Sequence, residues 1–397
     1  MKTNTDPKLI EELLSRGVEN IYPKLEFLEE SLKSGEQMTL YTGYDPTAPT
    51  LHIGHGITML KLHDFQKLGH KIIMLIGDFT GMIGDPTDKA SARQKLTREQ
   101  VLENAKEYEK QASAILDFKG DNPVEIKYNS EWCDKLTGSD FLELTSHFTV
   151  PRLLERDMFQ ERLKTGGTVH LHEFLYPVMQ AYDSVVMDVD GEVGGNDQTF
   201  NMLAGRTLMK DLKNKEKFVI AGKLLTDNSG KKMGKTEGNM IAFSDSPEDM
   251  FGKVMRWTDE MIIPGFEICT RVPMEDVDDM KKELDGGANP RDFKFKLAFE
   301  ITKMFLSEEA AKQGQENFEK VIQSKDKPDE IPELKPASFN IVDVLVESKI
   351  CKSKSEARQM IEQGGVKIND EKVESIDTDT KVGDVVQKGK RFFVKIT

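Results

Sequence analysis

Two rhythms of apolar and polar positions divide the chain into elements. Residues 38–44 (MTLYTGY) are rich in β-favouring side chains and run into the turn pair Asp45-Pro46, which predicts a strand. In LHIGHGITMLKLHDFQKLG, the residues Ile57, Leu60, Leu62, Phe65 and Leu68 roughly follow helical spacing, and Gly69 supplies a stop. KIIMLI at 71–76 then reads as a buried strand. Strand, helix and strand make a βαβ unit, the building block of a parallel sheet whose ligands gather at the carboxyl ends of its strands.

The same reading predicts a capped helix over 97–116, with Gln100 three residues after Thr97, and strands over 124–128 and 185–189. Ser246-Pro247 reads as a cap and first turn, and Phe293, Leu297, Ile301 and Phe305 carry a helical pattern across 289–306. In KDKPDEIPELKPAS the prolines at 328, 332 and 336 stand among charges, the composition of a stiff, extended linker. The coarse map is an α/β core, a helical segment, a linker over 325–337 and a tail over 338–397. No internal repeat or long low-complexity tract interrupts it.

The 397 residues carry 55 basic against 69 acidic side chains, a net charge of −14. That sum hides an uneven distribution, because residues 338–397 hold 11 basic and 10 acidic residues and are nearly neutral. The longest apolar run, residues 72–76, falls far short of the ~18 needed to span a bilayer. The polar amino terminus has neither a signal core nor transit character, so a soluble, untargeted, cytoplasmic protein without a membrane partner is expected. Cys133, Cys269 and Cys351 stand far apart with no C-x-x-C spacing, which fits a reducing compartment and no metal site.

Candidate chemistry starts at PTAPTLHIGH, between the first strand and its helix, where backbone N–H groups and the helix dipole are available to an anion. His52 and His55 share a face if both lie in the first helical turn, and two imidazoles there can donate to a phosphate. The bland alternative is a capping loop with two surface histidines. A second site is KKMGKT at 231–236, a glycine-flanked loop whose ammonium groups can close over a nucleotide, or simply a solvated basic loop.

Taken together, the two motifs resemble the HIGH and KMSKS signatures of class I aminoacyl-tRNA synthetases. Gly234 and Thr236 stand where the second consensus has serines, while Lys232 and Lys235 remain. Tyr41 to Thr47 (YTGYDPT), Gly84-Asp85-Pro86, Tyr176 with QAYD at 180–183, and GGNDQ at 194–198 are similar to tyrosyl-tRNA synthetase motifs. The resemblance implies a Rossmann-type catalytic domain over 1–240, a helical anticodon-binding domain over 241–324 and, after the linker, an RNA-binding domain of the ribosomal S-four type over 338–397.

The resemblance also assigns roles. Tyr41 and Asp183 would bind the phenolic hydroxyl of tyrosine, and Asp85, Tyr176 and Gln180 its ammonium group. Gly43, Asp45, Thr47, Thr58, Gly195 and Asp197 would lie near ATP, with Gln198 near the reacting carboxylate or phosphate. Thr47, His52, His55, Lys232, Lys235 and Thr236 would serve the phosphates, and Asn129 would approach the tyrosine site. Asn196 stands where relatives often carry Ser or Thr. ATP enters as substrate with Mg2+, and no resident metal or organic cofactor is expected. Positions 176, 180 and 183 would share one helical face, provided the helix begins near Pro177. Without the resemblance, that stripe fits a solvent-facing surface equally well.

In the tail, Lys349, Lys352, Lys354 and Arg358 cluster with one acid, Glu356, on a predicted loop and helix before the turn Gly364-Gly365. With the synthetase resemblance they imply tRNA(Tyr) as partner, and the family implies a homodimer. The rival readings are a tryptophanyl synthetase, a pantothenate-synthetase-type adenylyl-transferring enzyme and a noncatalytic RNA-binding paralogue.

Overall fold

The computed structural model describes residues 2–85, 96–226, 240–324, 331–369, 371–373, 375–388 and 392–397. They form two compact units, Met1–Gln315 and Glu316–Thr397.

The larger unit is built on a six-stranded sheet: β1 (Val18–Tyr22), β2 (Thr39–Tyr44), β3 (Lys71–Ile76), β4 (Glu125–Tyr128), β5 (Gly191–Gly195) and β6 (Phe218–Gly222), in the order β1-β6-β5-β2-β3-β4. All neighbours pair in parallel except β1, which closes the β6 edge antiparallel. The chain winds outward from β2 through β3 to β4, then returns to β5 on the other side of β2. That reversal makes the β2/β5 boundary the switch point where such sheets open a ligand crevice. Pairing reflects it: β2 and β3 are in register along six residues, whereas β2 and β5 pair only at Leu40 with Gly191 and Tyr41 with Glu192.

Local sequence explains these elements. The helix Ile53–Lys67 runs from the β2 end back along the sheet and buries Met59, Leu60, Leu62 and Phe65. β3 is exposed only at Lys71 and buried through Ile76, as a strand covered on both faces must be. Gly191 opens β5 because a Cβ there would sit 2.1 Å from the Phe218 ring.

Three sequence expectations are corrected. Residues 185–189 are not a strand but the end of the helix Leu171–Met187, which stops where Asp188 turns left-handed at φ 50°, and the strand follows at β5. The predicted 97–116 helix divides into Arg98–Ala105, capped by Thr97 and Gln100 as expected, and Tyr108–Ala112. Pro177 lies in the second turn of its helix, not near the start, and is itself buried. Two later helices start where the pattern predicts, with Ser246 capping Pro247–Met255 and Asn289 capping Pro290–Phe305.

The smaller unit packs the helices Ile341–Glu347 and Lys354–Glu362 against a five-stranded sheet: β7 (Glu333–Leu334), β8 (Val366–Ile368), β9 (Glu371–Lys372), β10 (Val385–Lys388) and β11 (Phe392–Ile396). Its core contains Val344, Leu345, Ile361, Val386 and Ile396.

Candidate active site

At the carboxyl ends of β2 and β5 lies a cavity of about 620 Å3. On one side stands the start of the helix Ile53–Lys67. His52 is its N-cap, its backbone N–H donates to His55 Nδ1 over 3.2 Å, and the two rings stack with centroids 3.7 Å apart. Two glycines permit this turn: a Cβ on Gly54 would come within 3.0 Å of the His52 ring, and one on Gly56 within 2.3 Å of Phe305. Imidazoles and helix N–H groups therefore converge on one end of the cavity, a site suited to an anion. Thr58, one turn on, donates to the His55 carbonyl over 2.8 Å and lies 3.1 Å from the Tyr44 hydroxyl.

Asp45 follows directly after β2 and lines the cavity. Tyr176 donates to its Oδ2 over 2.8 Å and Thr80 to its Oδ1 over 2.7 Å. Gly77 makes room, since a Cβ there would lie 1.9 Å from Oδ1. Burial and the neighbouring carboxylates of Asp45 and Asp85 push the Tyr176 phenol well above its ordinary pKa, so it acts as a hydroxyl donor.

The other end of the cavity is deep and polar. Tyr41 is fully buried, with its hydroxyl 2.8 Å from Ser184 Oγ. Asp183, 2% exposed, accepts from the Trp132 indole over 2.7 Å and from the Asn129 amide over 3.3 Å. Burial pushes the Asp183 carboxyl well above the usual range, while those two hydrogen bonds pull it back. Gln180 donates to Glu192 over 2.8 Å, and Gln198 to Asp85 over 2.6 Å, with Arg156 3.6 Å from the same carboxylate. A phenol, an acid and two amides, sunk in an apolar wall that includes Leu75 and Val193, suit a small amphiphilic molecule with a polar group at each end.

All described residues expected to bind tyrosine or ATP line this one cavity: Tyr41, Gly43, Asp45, Thr47, His52, His55, Thr58, Asp85, Tyr176, Gln180, Asp183, Gly195, Asp197 and Gln198. Asn129 lines it too. Lys232, Lys235 and Thr236 lie outside the described residues, as do Pro86 and residues 325–330 of the expected linker. Asn196 accepts from the Thr199 hydroxyl at the entrance to the helix Thr199–Lys213. In the smaller unit Lys349, Lys352, Lys354 and Arg358 are all exposed, on the loop before the helix Lys354–Glu362 and on the helix itself. Lys354 pairs with Asp343 over 2.7 Å, and Glu356 is taken up by Lys388.

Trp132, Ser184, Glu192 and Lys217 escaped the sequence reading. Trp132 and Ser184 each neighbour a residue that it did single out, but only the fold turns them inward. Among the described residues no helix is long and apolar enough to cross a membrane. Cys133, Cys269 and Cys351 are buried free thiols.

A parallel sheet split at its switch point, with a histidine-capped helix on one side and a buried amino-acid-sized pocket on the other, defines a class I synthetase. Residues 33–323 match the family described as tRNA synthetases class I (W and Y), and residues 323–395 match the tyrosine–tRNA ligase SYY-like C-terminal domain. The chain is 43% identical to the tyrosine–tRNA ligase of Thermotoga maritima, over 97% of this chain and 96% of that one, and 44% identical to that of Bordetella avium, over 96% and 94%. It shares its fold with a C-terminally truncated Coccidioides posadasii mitochondrial tyrosyl-tRNA synthetase, with a TM-score of 0.63 at 24% identity over 78% of this chain and 91% of that one. The Archaeoglobus fulgidus tyrosyl-tRNA synthetase, solved with L-tyrosine, aligns with a TM-score of 0.59 at 22% identity over 77% and 99%. The chain belongs to the tyrosine–tRNA ligase family of the class I synthetases.

Proposed function

We propose that this enzyme activates tyrosine with ATP to tyrosyl-adenylate and pyrophosphate, and then transfers the tyrosyl group to the 3′ end of tRNA(Tyr). The observation that carries the reading is the single cavity, which joins the anion-suited turn of His52 and His55 to the buried pair Tyr41 and Asp183. The tyrosine carboxylate is ionised at neutral pH and attacks the α-phosphorus directly. A new O–P bond forms as the bond to pyrophosphate breaks, with no enzyme nucleophile or general base. Catalysis then rests on positioning and on stabilising charge as it develops.

Tyr41 and Asp183 receive the substrate hydroxyl, Asp85, Tyr176 and Gln180 surround the ammonium group, and Gln198 lies by the reacting carboxylate. Gly43, Asp45, Thr58, Gly195 and Asp197 flank the nucleotide. Thr47, His52 and His55 meet its phosphates, and Lys232, Lys235 and Thr236 close over the departing pyrophosphate. Mg2+ arrives with ATP as part of the substrate. Phenylalanine would leave the buried acceptor and donor unpaired, the kind of discrimination for which tyrosyl synthetases are the standard example. The segment 241–324 serves the anticodon end of tRNA, and the exposed cations of the smaller unit serve its backbone phosphates. The protein works in the cytoplasm and forms a homodimer; the dimer is supported by Leu142, Val150, Leu163 and Leu171, large apolar side chains exposed on successive helices between β4 and β5.

The test is ATP–pyrophosphate exchange with each of the twenty amino acids in turn. Exchange with tyrosine alone is expected, and exchange with tryptophan would overturn the pocket. Lys235→Ala is expected to slow adenylate formation strongly and leave tyrosine affinity unchanged; a normal single-turnover rate would remove Lys235 from the mechanism.

A further inference from the structure

Behind the amino-acid end of the cavity lies a buried ion pair that the mechanism above does not use. Lys217, immediately before β6, is fully buried, and its ammonium is bound by the Glu192 carboxylate on β5. The same Nζ donates to Ser184 Oγ over 2.9 Å and stands 5.6 Å from the centre of the Tyr41 ring. Gly205, on the neighbouring helix, leaves the space it occupies: a Cβ there would come within 2.5 Å of Nζ and 2.8 Å of Ser184 Oγ.

Stability alone is a poor reason for such a pair, because apolar side chains of similar volume commonly serve a protein core as well or better. Its second contacts are more informative, since both lead to cavity residues. Glu192 Oε1 accepts from Gln180 Nε2 over 2.8 Å, and Ser184 Oγ lies 2.8 Å from the Tyr41 hydroxyl. With its NH2 turned toward Glu192, Gln180 presents its carbonyl oxygen as an acceptor, the polarity that an ammonium group requires. Lys217 has only hydrogens to offer, so Ser184 Oγ is fixed as an acceptor on that side and held beside Tyr41. It also neutralises Glu192, which would otherwise stand as an uncompensated carboxylate at the pocket wall.

We propose that Lys217 is a positioning residue for the amino-acid pocket, orienting Gln180 through Glu192 and the Tyr41 hydroxyl through Ser184, so that one buried ammonium sets both ends of the pocket. The proposal rests on the reading of this cavity as the tyrosine site. It assigns Lys217 no contact with substrate and no part in the bond-making step. Removing it should therefore weaken tyrosine recognition and leave ATP recognition alone.

The experiment is ATP–pyrophosphate exchange on the full chain, with KM measured separately for tyrosine and ATP and kcat/KM compared for tyrosine and phenylalanine. Lys217→Met is expected to raise the tyrosine KM about tenfold or more and lower the tyrosine-to-phenylalanine ratio to a similar degree, with the ATP KM within about twofold. Because that variant leaves Glu192 unpaired, the double variant Lys217→Met/Glu192→Gln is measured beside it. This variant removes both charges, keeps an acceptor for Gln180, and is expected to recover the melting temperature while retaining the loss of discrimination. A folded double variant with the wild-type tyrosine KM and discrimination ratio would reduce the pair to a structural role. Tyr41→Phe and Gln180→Ala separate the two claims. If they too leave tyrosine recognition unchanged, the pocket assignment has failed; if they impair it and the Lys217 variants do not, only the inference has.

Discussion

In the cavity of the larger unit, the polar side chains are buried or half-buried and most are held by one another. Tyr176 is bound to Asp45, Gln180 to Glu192, Gln198 to Asp85, and Asp183 to both Trp132 and Asn129. The cations of the smaller unit stand in water on a loop and one helix, and among the described residues only Lys354 of the four has a close carboxylate partner, Asp343. In the roles proposed for them, the two surfaces would therefore recognise ligands by different physics. In the cavity most donors and acceptors have a fixed partner, and removing one strands another in a low-dielectric site where the loss is felt in full. On the exposed face each charge adds a small, screened and nearly independent increment, read as salt dependence and not as shape.

Removing the exposed face altogether is the most severe test of this division. Truncation after Pro336 is expected to reduce tRNA charging by on the order of 10²-fold or more, while ATP–pyrophosphate exchange stays within about twofold. Full charging by the truncated protein would end the division of labour. Within the cavity, Asp183→Ala is expected to lower kcat/KM for tyrosine by roughly 10²-fold and to blunt discrimination against phenylalanine, because Trp132 and Asn129 lose their shared acceptor. An unchanged discrimination ratio would remove Asp183 from the pocket.

Stability should register the same contrast. His70 is fully buried, accepts from the Met38 N–H over 3.2 Å, and has its pKa lowered by burial to about 4. Between that value and the ordinary 6.5 the unfolded chain holds a proton that the native protein refuses. Stability from this group is therefore nearly full above pH 6.5 and declines as pH falls toward 4, by about 3 kcal/mol across the window. Melting curves at pH 7 and pH 4.5 should show a smaller acid loss for His70→Gln than for wild type, and equal losses would refute this account. The smallest effects belong to single exposed cations. Lys352→Ala should weaken tRNA binding only about two- to fivefold and reduce the salt slope by roughly one, without touching exchange. A large loss from that one change would mean that the exposed face recognises RNA by a fixed contact and breaks the contrast.

The histidine motif was legible because its geometry is local. A strand, a turn and a histidine-capped helix lie within 30 residues, and His52 and His55 stack because the N-cap and the residue three on lie on the same side of a helix start. The stripe Tyr176, Gln180 and Asp183 was legible for the same reason and survives Pro177, which the helix Leu171–Met187 carries in its second turn. Where the reading failed, local composition pointed the wrong way. The apolar, β-branched run at 185–189 is a helix end, and the strand beside it, Gly191-Glu192-Val193-Gly194-Gly195, is three-fifths glycine. No propensity favours that strand; it exists because Phe218 packs where a side chain at 191 would stand, and because β6 pairs along it.

By itself, then, the sequence determined the class of chemistry and singled out side chains that the fold gathers around one cavity, since these depend on motifs read over a few residues. Only the tertiary structure decided how those side chains are held. Lys217 and Glu192 are 25 positions apart and meet because β5 and β6 run in parallel; Trp132 reaches Asp183 from 51 positions away. Such contacts carry no local signature. They follow from the strand order, which places the switch point between β2 and β5 and gathers side chains from distant segments into one buried pocket.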